Sequence, residues 1–347
     1  MKRRRTEQIK IGNVKIGGNA PISVQSMTKT DTRHINKTVA QIVRLQNAGC
    51  EIIRVAVKDS ISARAVKKIK PRICIPLVAD IHFDYKLALE SIAAGCDAIR
   101  LNPGNIKRKE HIREVIKACR TNKIPIRIGL NSGSAGTHTA GGLCRIAHNY
   151  VKFFEKQGFY DIIVSLKASD VLTTIEAYRK MAGACEYPFH LGITAAGSSG
   201  MGTVKSAVGI GTLLAEGIGD TIRVSLTEKP EQEVLLAKQI LQSLGLRTFY
   251  HDIISCPTCG RCQVDLVKIV GEFKNKLSTI HYPLSTKQVK IALMGCEVNG
   301  PGEAKDADIG VAFGKRTGVI FKKGRAIKRI KAEDSAKELI DCILRLH

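Results

Sequence analysis

Two short stretches hold the residues best suited to metal chemistry: SCPTCGRC, Ser255 to Cys262, and MGCEVNGPGE, Met294 to Glu303. The first sets Cys256, Cys259 and Cys262 at intervals of three, and the second adds Cys296 and Glu303. Thiolates at this spacing hold zinc or an iron–sulfur cluster, and spacing alone admits both. A structural zinc site ordinarily draws on two cysteine pairs. Here the second stretch has one cysteine among glycines, which suits cluster sulfurs that accept backbone N–H bonds. The simple all-thiolate set is Cys256, Cys259, Cys262 and Cys296.

A second pattern is cationic. IRVA, IRLN, IRIG and IRVS, starting at Ile53, Ile99, Ile126 and Ile222, each set one arginine in an apolar run: Arg54, Arg100, Arg127 and Arg223. SLKAS adds Lys167, and the evident carboxylate nearby in pattern is Asp80 of VADIHF. An unpaired buried charge costs several kcal/mol, so this excess of cations calls for a polyanionic ligand. Guanidinium forks match phosphate oxygens, and a phosphate or diphosphate pocket is the expectation. Asn102, Asn131, Ser225 and the glycines of NPGN and NSGS suit it, as does the glycine-rich GSSGMGTVK ahead of a helix.

These residues need a scaffold that brings strand ends together. Eight short, β-branched runs are expected as strands, beginning at Ile22, Glu51, Pro76, Ala98, Pro125, Asp161, Phe189 and Thr221. A helical pattern follows each, and several helices end in glycine just before the next strand, as in LQNAGCEIIRV. Near-continuous apolar strands indicate a parallel sheet buried on both faces. Eight units in succession imply a (β/α)8 TIM barrel, with the cations at the C-terminal rim where such barrels carry their sites. The rhythm changes near Tyr250. Residues 1–247 are expected to form the barrel and 248–347 a smaller α/β domain carrying the cysteines, with a helix over VDLVKIVGEFKNKL, a strand over VKIALMGC and a hairpin over GVIFKKGRAIKRI.

Composition narrows the partners. The chain has 347 residues, a formal net charge of +24 and 5% aromatic residues without tryptophan. Its lysines and arginines are dispersed, and stacking surface is scarce, so nucleic acid is not the expected partner. An anionic small molecule or an acidic protein fits better. The runs KRRR and KKGRAIKRIK read as solvated faces. No apolar run reaches about 18 residues, so no membrane span is expected. The N-terminus lacks the apolar segment of a secretory signal, and a cytoplasmic location is expected. Cys50, Cys74, Cys96, Cys119, Cys144, Cys185 and Cys342 read as buried free thiols.

Across nearly the whole chain the motifs VQSMT, PLVADIHFDY, AIRLNPGNI, PIRIGLNSGS, SLKASDV, HLGIT, GIGDTIRVSLT, CPTCGR and MGCEVNGPGEA resemble the 4-hydroxy-3-methylbut-2-enyl diphosphate synthase family in its two-domain bacterial form. The resemblance implies a barrel, a domain holding one 4Fe–4S cluster, and a homodimer in which the cluster domain of one chain caps the barrel of the other. It implies reductive opening and dehydroxylation of 2-C-methyl-D-erythritol 2,4-cyclodiphosphate with two electrons from ferredoxin or flavodoxin. By motif, the family's cluster ligands fall on Cys256, Cys259, Cys296 and Glu303, and its diphosphate-binding residues on Arg54, Arg100, Arg127, Lys167, Arg223 and Ser225. Asp80 and Asn131 fall beside the substrate and, with Glu303, in catalytic positions. Two positions depart from the pattern. Cys262 is additional, a bystander or a competitor for the fourth iron. Ala195 stands where the family carries glutamate, and a methyl group cannot donate a proton; a second reading is therefore a cluster-binding homologue with altered catalysis.

Overall fold

The computed structural model describes residues 2–106, 108–279, 288–296, 302 and 304–345. They form two compact units, Met1–Arg247 and Thr248–His347.

The first unit opens with an antiparallel hairpin, β1 (Ile9–Ile11) and β2 (Val14–Ile16). Eight parallel strands follow: β3 (Ser23–Met27), β4 (Ile52–Ala56), β5 (Leu77–Ile81), β6 (Ala98–Leu101), β7 (Ile126–Asn131), β8 (Ile162–Lys167), β9 (His190–Leu191) and β10 (Thr221–Ile222). They lie in the order β8-β7-β6-β5-β4-β3-β10-β9. Val164 of β8 bridges Phe189 beside β9, and its N–H donates to Pro188 O at 3.0 Å, which brings the two ends of the sheet together. The expected barrel is therefore present with all eight strands.

Local sequence explains the helix boundaries. Asp59 and Asp170 cap helix N-termini by accepting the N–H groups of Ser62 and Thr173. Gly49 ends the helix Ile35–Asn47 at φ +100°, where a side chain would be strained, and the Cys50 N–H closes onto Leu45 O at 2.9 Å.

The N-terminal hairpin carries no clear signal in the sequence because each strand has three residues. It has a definite role in packing. Ile9, Ile11 and Ile16 pack on Ile52, Val78, Ala98 and Ile163, the first inward residues of four barrel strands. Apolar side chains thus close the N-terminal end, and a ligand site is left to the other end. The expectation of a solvated KRRR run is corrected for two residues. Arg3 pairs with buried Asp220 at 3.0 Å, and Arg4 donates to the Cys185 and Tyr187 carbonyls while lying 4.0 Å over the Phe189 ring. Both tie the N-terminal segment down.

The second unit is a five-stranded sheet, β11 (Asp252–Ser255), β12 (Lys290–Met294), β13 (Ile309–Phe313), β14 (Thr317–Lys322) and β15 (Arg325–Lys331), in that order. The first three strands are parallel and the remainder antiparallel. Helices Leu266–Thr279 and Ser335–Leu344 supply Phe273, Leu339 and Ile343 to a core with Leu293, Val311 and Phe313. The helix, the β12 strand and the β14–β15 hairpin match the sequence pattern, whereas β11 and β13 are new.

Of the seven cysteines expected to be buried, Cys50, Cys96 and Cys119 are. Cys74 is exposed, and Cys144, Cys185 and Cys342 are half-buried. Among the described residues no helix is long and apolar enough to cross a membrane.

Because Ile16 is fully buried in the hairpin plug, Ile16→Ala is expected to lower barrel stability by about 2–5 kcal/mol. Urea unfolding monitored by far-UV circular dichroism checks this, and a change below about 1 kcal/mol would mean that the hairpin is not part of the barrel core.

Candidate functional site

Strand alternation sorts the barrel side chains. Residues two apart face the same side. With Ile52, Val78, Ala98 and Ile163 turned inward at the plugged end, the next inward positions are Arg54, Asp80, Arg100, Ser165 and Lys167. The structure brings eight of the barrel residues singled out from sequence to one pocket: Arg54, Asp80, Arg100, Arg127, Asn131, Lys167, Arg223 and Ser225. His82, Ser165, Ile193 and Thr194 complete its lining. Asn102 is buried at the end of β6.

Asp80 organises the cations. Its Oδ1 lies 3.1 Å from Arg100 Nη1 and its Oδ2 3.7 Å from Arg54 Nε. Burial alone would raise its pKa, but Arg54, the bond with His82 and Arg100 outweigh this and hold its carboxyl well below the usual range. Arg100 also donates to Gly129 O at 3.1 Å. Arg54 contacts Met27 Sδ at 3.0 Å, and Arg127 donates to Gln25 Oε1. Nη2 of Arg127 and Nε of Arg223 have no hydrogen-bond partner among the described residues.

The positive charge is excessive. Burial, opposed by Asp80, brings Arg54 down to about 9, so it remains protonated at neutral pH. Burial and the surrounding arginines hold Lys167 well below its ordinary range, Arg223 being the largest of those contributions. Guanidinium keeps its proton, so the repulsion is relieved at the lysine.

Other residues that shape the site have no obvious mark in sequence. Glu233 is a second buried carboxylate that favours the charged form of Arg223, and the expectation of a single carboxylate is corrected accordingly. Its Oε1 is taken by Lys29 Nζ at 3.1 Å and the Leu226 N–H at 3.0 Å, which leaves the pocket cationic. Gly129 and Gly192 make room. A Cβ on Gly129 would fall 2.5 Å from Arg100 Nε, and one on Gly192 would fall 2.6 Å from both Lys167 Nζ and Arg223 O. Period-two alternation with Arg127 and Asn131 is the signal that could have marked Gly129.

The thiols lie at one edge of the second unit. The register Ser255↔Leu293 of parallel β11 and β12 sets Cys256 beside the segment leading to Cys296. The Gly295 N–H donates to Cys256 Sγ at 3.2 Å. A Cβ on Gly295 would meet Cys262 Sγ at 2.5 Å and Cys256 Sγ at 3.3 Å, so the missing side chain makes a cradle for two sulfurs. Cys259 is exposed, and hydrogen bonds from the Arg261 backbone and side chain lower its pKa. Among the described residues no three histidine, cysteine or acidic side chains are gathered closely enough to hold a metal ion. Glu303 lies outside the described residues. The donor chemistry fits an iron–sulfur group: soft thiols, a sulfur already accepting a backbone N–H, and a glycine that clears space.

Inorganic diphosphate is expected to bind this pocket, and Lys167→Met is expected to weaken the binding by about 10- to 100-fold through loss of a charged donor, read by calorimetry. The depressed pKa of Lys167 also gives stability a pH dependence. The unfolded chain binds more protons at Lys167 than the folded one, so the ligand-free barrel gains stability as pH rises toward the ordinary lysine range and loses it as pH falls. Diphosphate binding that Lys167→Met leaves unchanged would contradict this charge distribution.

A family model described as the GcpE TIM-barrel domain matches residues 6–238, and one described as the GcpE protein C-terminal domain matches residues 252–345. A 4-hydroxy-3-methylbut-2-en-1-yl diphosphate synthase (flavodoxin) of Caldanaerobacter subterraneus is 55% identical over 346 residues, covering 97% of this chain and 96% of that protein. The protein of the same name from Clostridium perfringens is 51% identical over 351 residues, covering 99% of each. Among solved structures, dihydropteroate synthase of Yersinia pestis superposes with a TM-score of 0.52 at 11% identity, over 69% of this chain and 98% of that one, a likeness of barrel fold alone. With both family domains matched in order along its length, the chain belongs to the GcpE family.

Proposed function

We propose that the chain reduces 2-C-methyl-D-erythritol 2,4-cyclodiphosphate to 4-hydroxy-3-methylbut-2-enyl diphosphate, opening the ring and removing one hydroxyl. The observation that carries this reading is the pocket in which Arg54, Arg100, Arg127, Lys167 and Arg223 face a single pocket carboxylate, Asp80. A cyclic diphosphate supplies the missing negative charge. The relatives' shared name adds the reaction and flavodoxin as electron donor.

In this reading the arginines and Lys167 bind the diphosphate, with Ser225 and Asn131 adding hydrogen bonds. Asp80 keeps Arg54 and Arg100 aimed into the pocket. Gly129 keeps space for the side chain of Arg100 and Gly192 for that of Lys167. One 4Fe–4S cluster, held by Cys256, Cys259, Cys296 and Glu303, supplies electron transfer from flavodoxin or ferredoxin to the substrate. Glu303 suits the fourth position because a carboxylate oxygen is a harder, more easily displaced donor than a thiolate. A net charge of +24 complements an acidic electron carrier. The working form is a cytoplasmic homodimer. Ala195 adopts φ +50° after β9, and its methyl leaves proton donation to another group.

Anaerobically purified protein is expected to contain iron and sulfide in equal amounts and to consume the cyclodiphosphate with reduced flavodoxin. Zinc without iron, or no consumption, would contradict the proposal. Arg127→Met is expected to weaken substrate binding by about 10- to 100-fold through loss of a charged hydrogen-bonding group, measured as KM or by calorimetry. Cys256→Ser is expected to lose cluster iron under the same purification.

A further inference from the structure

His82 lines the cationic pocket from the turn after β5, with its side chain 45% exposed. Its Nε2 stands between a donor and an acceptor, 3.0 Å from Arg100 Nη1 and 3.5 Å from Asp80 Oδ2. The neutral tautomer protonated on Nδ1 accepts from Arg100 at that nitrogen, and the imidazolium or the tautomer protonated on Nε2 donates from it to Asp80. Each protonation state therefore has a partner in place. Nδ1 makes no hydrogen bond among the described residues.

The other groups of the pocket are poorly suited to give a proton. The guanidiniums hold theirs too tightly. Asp80 is ionised between two arginines. Asn131, Ser165, Thr194 and Ser225 are not acids at neutral pH, and Ala195, next to Thr194 in the chain, carries only a methyl. Lys167 is committed to the bound anion. Imidazole is the side chain best matched to proton transfer at neutral pH, and half exposure lets it recover a proton from water.

We propose that His82 donates the proton with which the substrate's hydroxyl departs, a step that rests on the function proposed above. Two electrons from reduced flavodoxin enter the carbon skeleton. The ring carbon–oxygen bond to the diphosphate breaks, and the freed phosphate oxygen keeps its negative charge among the arginines. The carbon–hydroxyl bond on the neighbouring carbon breaks, a double bond joins the two carbons, and the hydroxyl leaves as water with the proton from Nδ1 of the imidazolium. The ring is left neutral with its Nε2–H on Asp80. The charged groups facing His82 are Asp80 from its own strand end and Arg100 from β6, with Arg54, Arg127, Lys167 and Arg223 of the other strands around the same pocket.

The test compares the unaltered chain with His82→Gln and His82→Asn. Single-turnover rates are measured from about pH 6 to 9, together with calorimetric binding of inorganic diphosphate. The unaltered chain is expected to slow as pH rises, following one deprotonation. Both variants are expected to run about 100-fold slower, to lack that limb, to recover in part with added imidazole, and to bind diphosphate nearly as well as before. A limb that persists in the variants overturns the proposal. So does loss of diphosphate binding, which would make His82 a support for Arg100 and Asp80. Absence of turnover in the unaltered chain overturns the proposed function, and this step with it.

Discussion

Like charge confined in a closed barrel is the constraint around which this molecule is arranged. Four arginines and a lysine converge where strands bring their inward positions together, and burial denies them water. Each unpaired cation in such a place costs several kcal/mol. The fold limits the cost in three ways. Asp80 bridges Arg54 and Arg100, Gln25 and the Gly129 carbonyl accept from Arg127 and Arg100, and Lys167 is held well below its ordinary range. What remains uncompensated is the capacity to bind an anion. Binding energy and strain in the free protein are thus two sides of one feature.

The rest of the barrel serves that arrangement. The hairpin of Ile9, Ile11 and Ile16 closes the apolar end, so charge and solvent meet only at the other. Gly129 and Gly192 are inward positions without side chains, and in a barrel interior packed in layers each such gap admits a long cation from a neighbouring strand. In the second unit the same device recurs at smaller scale. Gly295 leaves room for the sulfurs of Cys256 and Cys262, and its N–H is already directed at one of them.

Much of this was legible in sequence, for physical reasons. Parallel strands covered on both faces must be apolar throughout, so an arginine inside such a run is conspicuous, and the residues so marked all line one pocket. The residues that escaped notice depend on three-dimensional neighbours. Glu233 reaches the site from the helix Pro230–Ser243 beyond the last barrel strand. A glycine's meaning depends on which face it occupies, which a string of letters shows only once the register is known. Arg3 and Arg4 look like a solvated run because their partners, Asp220 and the Cys185 and Tyr187 carbonyls, lie some two hundred residues away. The short β11 has no clear alternation in sequence, which hides the register that sets Cys256 beside Gly295. The sulfurs of Cys256 and Cys262 both face that glycine.

The central claim is that the barrel's unbalanced positive charge is completed by a diphosphate. Thermal unfolding of the unaltered chain with saturating inorganic diphosphate tests it most directly. The expected result is a stabilisation of about 2–3 kcal/mol at a hundredfold excess over Kd, larger than that from inorganic phosphate and largely lost in Arg127→Met. An unfolding midpoint that diphosphate leaves unchanged would contradict the account.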